Sequence, residues 1–129
     1  MNPTELIDTA TKTLNNAHAP YSGYRVGAAL LCTDGTVFTG CNVENASFGL
    51  TNCAERTALF SAISAGQRDF SAIAISSSEA PAPFPCGACR QVLAEFCGPD
   101  FTVHIGITGG FETTTLGELL PHSFKLDER

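Results

Sequence analysis

FSAIAIS (70–76) and FTVHIGIT (101–108) decide the architecture, because a helical pattern lies between them. The first is a short, nearly continuous apolar run, as expected of a strand buried on both faces. A Pro-rich loop (79–85) leads from it into a helix that begins at Cys86, runs through Phe96 and stops at Gly98-Pro99. Strand–helix–strand order of this kind predicts two parallel strands joined by a right-handed crossover. Upstream, Ala54, Ala58, Leu59, Ala62 and Ile63 recur at helical spacing after Cys53, with Gly66 as the C-terminal stop. Before that helix, the segments 26–32 and 36–43 read as strands joined by Asp34-Gly35, a strong hairpin signal. The chain opens on a helix capped by Asn2, with Pro3 at its first position and Glu5 placed to close a capping box. Downstream, Gly109-Gly110 turns the chain, and a short helix from 115 or 116 to 120 precedes Pro121. These patterns locate four strands. The architecture expected is a single three-layer α/β/α domain over residues 1–129, with a mixed five-stranded sheet whose hairpin forms an antiparallel edge.

Composition narrows the function. The chain has 129 residues, 43% hydrophobic and 16% charged, with a formal net charge of −6. That is enough chain for a real core without disulfide staples, and the low charge predicts that another chain covers part of the surface. Its seven basic residues are scattered, whereas polynucleotide binders concentrate Lys and Arg against phosphates. A small neutral substrate is therefore expected, and no polynucleotide. The first residues, MNPTELIDTATK, carry neither the basic nor the apolar region of a signal peptide, and no apolar run approaches the ~20 residues of a membrane span. A cytoplasmic protein without membrane contact is the expectation. Six cysteines in such a protein point to metal or redox chemistry.

Two segments bring that chemistry into focus: Cys53-Ala54-Glu55-Arg56 and Pro85-Cys86-Gly87-Ala88-Cys89-Arg90. Both sit where a loop turns into a helix, and the positive end of a helix stabilises thiolates. Cys53, Cys86 and Cys89 are suited to hold Zn²⁺, and three protein ligands leave the fourth tetrahedral position open for catalysis. Glu55, two residues after Cys53, can reach a water at that position without ligating the metal, and can move its proton. Three thiolates on Zn²⁺ sum to −1, which weakens the metal as an acid. Hydrogen bonds from Arg56 to ligand sulfurs are the expected compensation, helped by the two helix N-termini. A thioredoxin-like redox pair also fits part of this pattern. A closed structural zinc site would need a fourth ligand, for which Cys97, His104 and His122 lack finger or ribbon spacing. Cys32, Cys41 and Cys97 read as buried small apolar residues.

Cys53-x-Glu55 followed by Pro85-Cys86-x-x-Cys89 matches the all-cysteine form of the zinc deaminase signature. The whole chain resembles the small homotetrameric cytidine deaminases, through Ala19-Pro20-Tyr21-Ser22, VGAALL (26–31), GCNVENAS (40–47), NCAERTALF (52–60), PCGACRQV (85–92) and Leu119-Leu120-Pro121. The resemblance implies a cytidine deaminase-like fold, and hydrolysis of cytidine or deoxycytidine to the uridine form plus ammonia. It implies that Cys53, Cys86 and Cys89 hold the zinc and that Glu55 shuttles protons between water, N3 of the ring and the departing amine. Asn42 and Glu44 match a pair that hydrogen-bonds the ribose; by themselves they read as ordinary polar residues ending an exposed strand. The backbone N–H of Cys86 and carbonyls near Ala54 and in the Pro-rich loop are implied to read the 4-amino edge. Tyr24 stands where the family usually has a Phe lining the base pocket, so its hydroxyl needs a partner or water. Phe124 matches an aromatic that stacks on the base from a neighbouring subunit, and also reads as an anchor on its own chain. Residues 46–48 match a loop that reaches toward an adjacent site. The tail after Phe124, residues 125–129, is short, which speaks against an extended C-terminal contact. Deamination of another small cytosine compound, such as a nucleoside antibiotic, is the competing reading, against which Asn42 and Glu44 argue. A polynucleotide-editing deaminase is opposed by the net charge.

Overall fold

Asn2 accepts the Glu5 N–H at 2.9 Å while the Glu5 carboxylate accepts the Asn2 N–H at 3.0 Å, closing the capping box that starts the first helix. In the computed structural model, which describes residues 1–126, this helix, α1, spans Pro3–Thr13. It is followed by β1 (Val26–Cys32), β2 (Val37–Cys41), α2 (Ala54–Ser64), β3 (Phe70–Ser77), α3 (Gly87–Phe96), β4 (Thr102–Ile107), β5 (Gly110–Thr115) and α4 (Leu116–Leu119). The sheet order is β2-β1-β3-β4-β5, with β3 and β4 parallel and every other pair antiparallel. The mixed five-stranded sheet and its antiparallel hairpin edge are as expected. Asp34-Gly35 makes the hairpin turn: Gly35 takes φ 92°, and the Asp34 carboxylate accepts the Thr36 N–H at 2.9 Å.

The fifth strand is the element that pattern alone did not locate. GFETTT follows the expected turn at Gly109-Gly110 and pairs with β4 as an edge. Its side chains are half-buried or exposed, so no apolar alternation advertises it. Strand β2 is shorter than 36–43, because Val43 leaves the ladder to bridge His18 on one side and Asn52 on the other. The last helix begins at Leu116, with Thr115 as its cap. Cys32 and Cys97 are buried, as expected for small apolar residues, but Cys41 on the edge strand is only half-buried. Within the described residues no helix is long and apolar enough to cross a membrane.

Alternation along β3 sorts the two faces. Ala72 and Ala74 meet Leu6 and Ala10 of α1, while Ile73 and Ile75 join Leu59 of α2 and Leu93 of α3 in the larger core. Small residues on the first face let α1 lie close. At Gly27 the approach is so tight that a Cβ would stand 2.0 Å from the Ala10 carbonyl oxygen and 2.7 Å from the Leu14 nitrogen. On the opposite face, a Cβ at Gly40 would stand 2.4 Å from the Ala58 nitrogen and 2.6 Å from the Ala54 oxygen of α2. In both places the obstacle is helix backbone, which cannot rotate aside. Gly27→Val is therefore expected to lower stability by about 3 kcal/mol or more through overpacking, read as a fall in the urea midpoint. A midpoint equal to that of the wild type would contradict this close approach.

Candidate active site

Cys53 and Cys86 occupy equivalent places, each the residue just before the first turn of a helix, with extended backbone (ψ 156° and 168°). Neither caps its helix through its side chain, so both sulfurs are available to other partners. Cys89 lies in the first turn of α3 and is fully buried. The three Sγ atoms lie within 4.8 Å of one another, a spacing that one ion can span. Among the described residues this is the group able to hold a metal. His104, considered as a fourth ligand, instead pairs its Nδ1 with Thr113 Oγ1 at 2.8 Å. Cys97 is in the core, where burial pushes its thiol up to about 12.

The donor set suits zinc electrostatically. The neighbouring Cys89 thiol, with Arg56 beside it, brings Cys53 down to about 5 against the opposing effect of burial. The neighbouring Cys53, then burial, pushes Cys89 upward. Arg56 Nη2 donates to Cys53 Sγ at 3.2 Å, and its own proton is held more firmly by that contact. Its Nε is buried without a hydrogen-bond partner in the described residues. A guanidinium held this close to a sulfur cluster fits a site that carries surplus negative charge.

Glu55 is 5% exposed, in the first turn of α2. Burial, with anionic Cys53 nearby, pushes its carboxyl up to about 7, within reach of both protonation states near neutral pH. It faces a cavity of about 410 Å³ that is also lined by Cys53, Cys86, Ala54, Tyr24, Asn42 and Glu44. Two dispersed sequence segments thus converge on one pocket.

Asn42 is buried, one residue beyond β2, contrary to its reading as a polar residue on an exposed strand end. Its Oδ1 accepts the Val26 N–H at 2.9 Å and its Nδ2 donates to the Tyr24 carbonyl at 2.8 Å. Each end keeps one further hydrogen-bonding position. Glu44 Oε1 accepts the Tyr21 and Ser22 N–H groups at 2.9 and 3.1 Å, and Oε2 accepts the Ser22 hydroxyl. The Ser22 hydroxyl, then its N–H and that of Tyr21, holds this carboxyl below its ordinary value. Phe124 does not line the cavity. Its ring is 68% exposed, while its backbone exchanges hydrogen bonds with the Gln91 side chain on α3 at 2.8 and 3.3 Å. Of the tail, residues 127–129 lie outside the described residues.

Sequence reasoning passed over Arg90. Its Nε donates to the Pro85 carbonyl at 2.7 Å and Nη1 to the Leu119 carbonyl at 2.7 Å, so it fixes the turn that delivers Cys86. Its place directly after Cys89 was the available signal.

The model of the cytidine and deoxycytidylate deaminase zinc-binding region matches residues 2–105. The chain belongs to this family. A cytidine deaminase of Halalkalibacterium halodurans is 52% identical over 125 residues, covering 95% of this chain and 94% of the relative. The crystal structure of a cytidine deaminase from Burkholderia pseudomallei, 50% identical, superposes with a TM-score of 0.92 and covers 96% of this chain and 100% of that one. More distantly, a blasticidin-S deaminase of Bacillus cereus is 32% identical over 125 residues, covering 91% of this chain and 88% of the relative. Deaminases in this family thus carry names with different substrates, and the choice of substrate rests on the pocket. Three clustered sulfurs are a donor set that zinc accepts, and they lie within the matched zinc-binding region.

Proposed function

We propose that the chain is a zinc-dependent cytidine deaminase, hydrolysing cytidine and deoxycytidine to uridine and deoxyuridine with release of ammonia, in nucleoside salvage. The observation that carries this reading is the buried Glu55 carboxyl, facing the same cavity as the sulfur cluster. Cys53, Cys86 and Cys89 hold the zinc, which when bound supplies a Lewis acid that sharpens the acidity of water beside Glu55.

Glu55 does the proton work. Its carboxylate takes a proton from the attacking water and gives it to N3 of the cytosine ring. As the C4–N bond breaks, it passes the second water proton to the departing amine, so water and cytidine balance uridine and ammonia. A carboxyl poised near neutrality suits both directions of transfer. Asn42 and Glu44 offer their remaining acceptor and donor positions to the sugar hydroxyls, which favours a nucleoside over an antibiotic with a different sugar. Carbonyls of Ala54 and the Pro-rich loop, with the Cys86 N–H, orient the 4-amino edge. The site is completed by a homotetramer. Phe48, Leu50 and Phe124 are each at least 68% exposed, more apolar surface than a lone chain has reason to present. A cytoplasmic location follows from the chemistry of free thiols.

An ultraviolet assay comparing cytidine, deoxycytidine and a cytosine-bearing oligonucleotide tests the assignment. Turnover of the two nucleosides is expected, with none of the oligonucleotide; a zinc-loaded chain inert toward both nucleosides would overturn it. For Arg56→Ala, the loss of a hydrogen bond to Cys53 is expected to lower kcat or zinc affinity by about 10–100-fold, with little effect on folding. Chelator competition and steady-state kinetics check this, and unchanged values for both would remove the compensating role.

A further inference from the structure

We propose that Tyr24 is a positioning residue that ties the two walls of the pocket together and so sets how tightly the nucleoside is held. One wall is the segment around Ser22, Tyr24 and Asn42. It is rigid: the Tyr24 N–H donates to Ser22 Oγ at 3.0 Å, and the Tyr24 carbonyl accepts from Asn42 at 2.8 Å. The facing wall is the Pro-rich loop, in which Pro81, Pro83 and Phe84 line the cavity just before Cys86.

That loop has few ways to hold itself. Prolines at 81, 83 and 85 have no N–H to donate, so its carbonyls are the handles left. Between residues 80 and 84, the described residues show one internal backbone bond, Phe84 N–H to the Ala82 carbonyl at 2.9 Å. One side chain reaches in from outside: the Tyr24 hydroxyl donates to the Pro81 carbonyl at 2.6 Å. The hydroxyl is thereby engaged with protein rather than turned toward a substrate. A Phe at this position would keep the ring against the core and leave residues 80–84 without a side-chain tie from outside. Because the Pro81–Phe84 wall lines the cavity while Glu55 and Cys89 sit on α2 and α3 and Cys53 and Cys86 at their starts, loosening it acts first on how the nucleoside is held.

This inference rests on the deaminase reading, and its test separates the two. For Tyr24→Phe, KM for cytidine is expected to rise about 3–10-fold, the range of one net hydrogen bond, with kcat within about twofold and zinc content unchanged. Hydrogen exchange in the nucleoside-free protein is expected to speed up at the Phe84 amide, the hydrogen-bonded N–H of residues 80–84, and not in α2. A raised KM without faster loop exchange would mean that the hydroxyl acts on the nucleoside itself, and would overturn the proposal. So would a fall in kcat exceeding the rise in KM, or no change in either measurement. If the unsubstituted chain deaminates neither nucleoside, the deaminase reading fails, and the exchange comparison alone still decides whether Tyr24 ties the loop.

Discussion

Glu55→Gln is expected to retain zinc and fold and to lose about four orders of magnitude in kcat. Gln has the same shape and fits the same buried place in the first turn of α2, so the helix and the sulfur cluster have no reason to move. What disappears is a group that can take and give a proton. General acid–base catalysis contributes roughly 10²–10⁴-fold, and here one carboxyl serves the water, the ring nitrogen and the departing amine in turn. The upper end of that range is therefore expected. Metal analysis alongside the ultraviolet assay reads both halves of the prediction. Robust turnover by the Gln variant would remove Glu55 from the mechanism, whereas loss of zinc would make it a structural residue.

The second large effect is on the metal. Cys89→Ala deletes the fully buried sulfur of the cluster. Two remaining sulfurs are too few for a stable zinc site, and zinc content is expected to fall from about one per chain to below about 0.1, with activity lost in parallel. Cys97→Ala serves as the comparison. It is also a buried cysteine but lies in the hydrophobic core, so it is expected to keep its zinc and lose about 1 kcal/mol of stability as a small core truncation. Equal zinc in both variants would dissolve the proposed ligand set.

The parts of the molecule that could be read in advance were those written in local pattern. Asn2, Pro3 and Glu5 announce α1 because a capping box is a three-residue affair, and Asp34-Gly35 announces the hairpin for the same reason. The apolar runs at β3 and β4 predicted their parallel pairing because they flank a helical segment. Cys53-x-Glu55 and Cys86-x-x-Cys89 stood out because ligand spacing is itself a sequence pattern. Strand β5 escaped because GFETTT holds one apolar residue, Phe111, so its alternation carries no apolar signal. Asn42 gave no local sign of its burial, for a related reason. Its burial comes from two backbone groups, at Tyr24 and Val26, that approach only once the sheet has formed. The Arg90–Leu119 and Tyr24–Pro81 contacts are likewise long-range, and the place of Arg90 directly after Cys89 marks the residue without naming its partners.

Arg90 and Gln91 have a consequence for how disturbances spread through the chain. These adjacent residues follow Cys89 on α3, and they grip the main chain at Leu119 and Phe124. The last described turn of the polypeptide is thus moored to the helix that carries a metal ligand, by contacts that bypass the sheet. A bulky fusion or a crosslink that drags residues 119–124 outward pulls on that helix first, and its earliest symptom is a drifting metal affinity rather than a melted core.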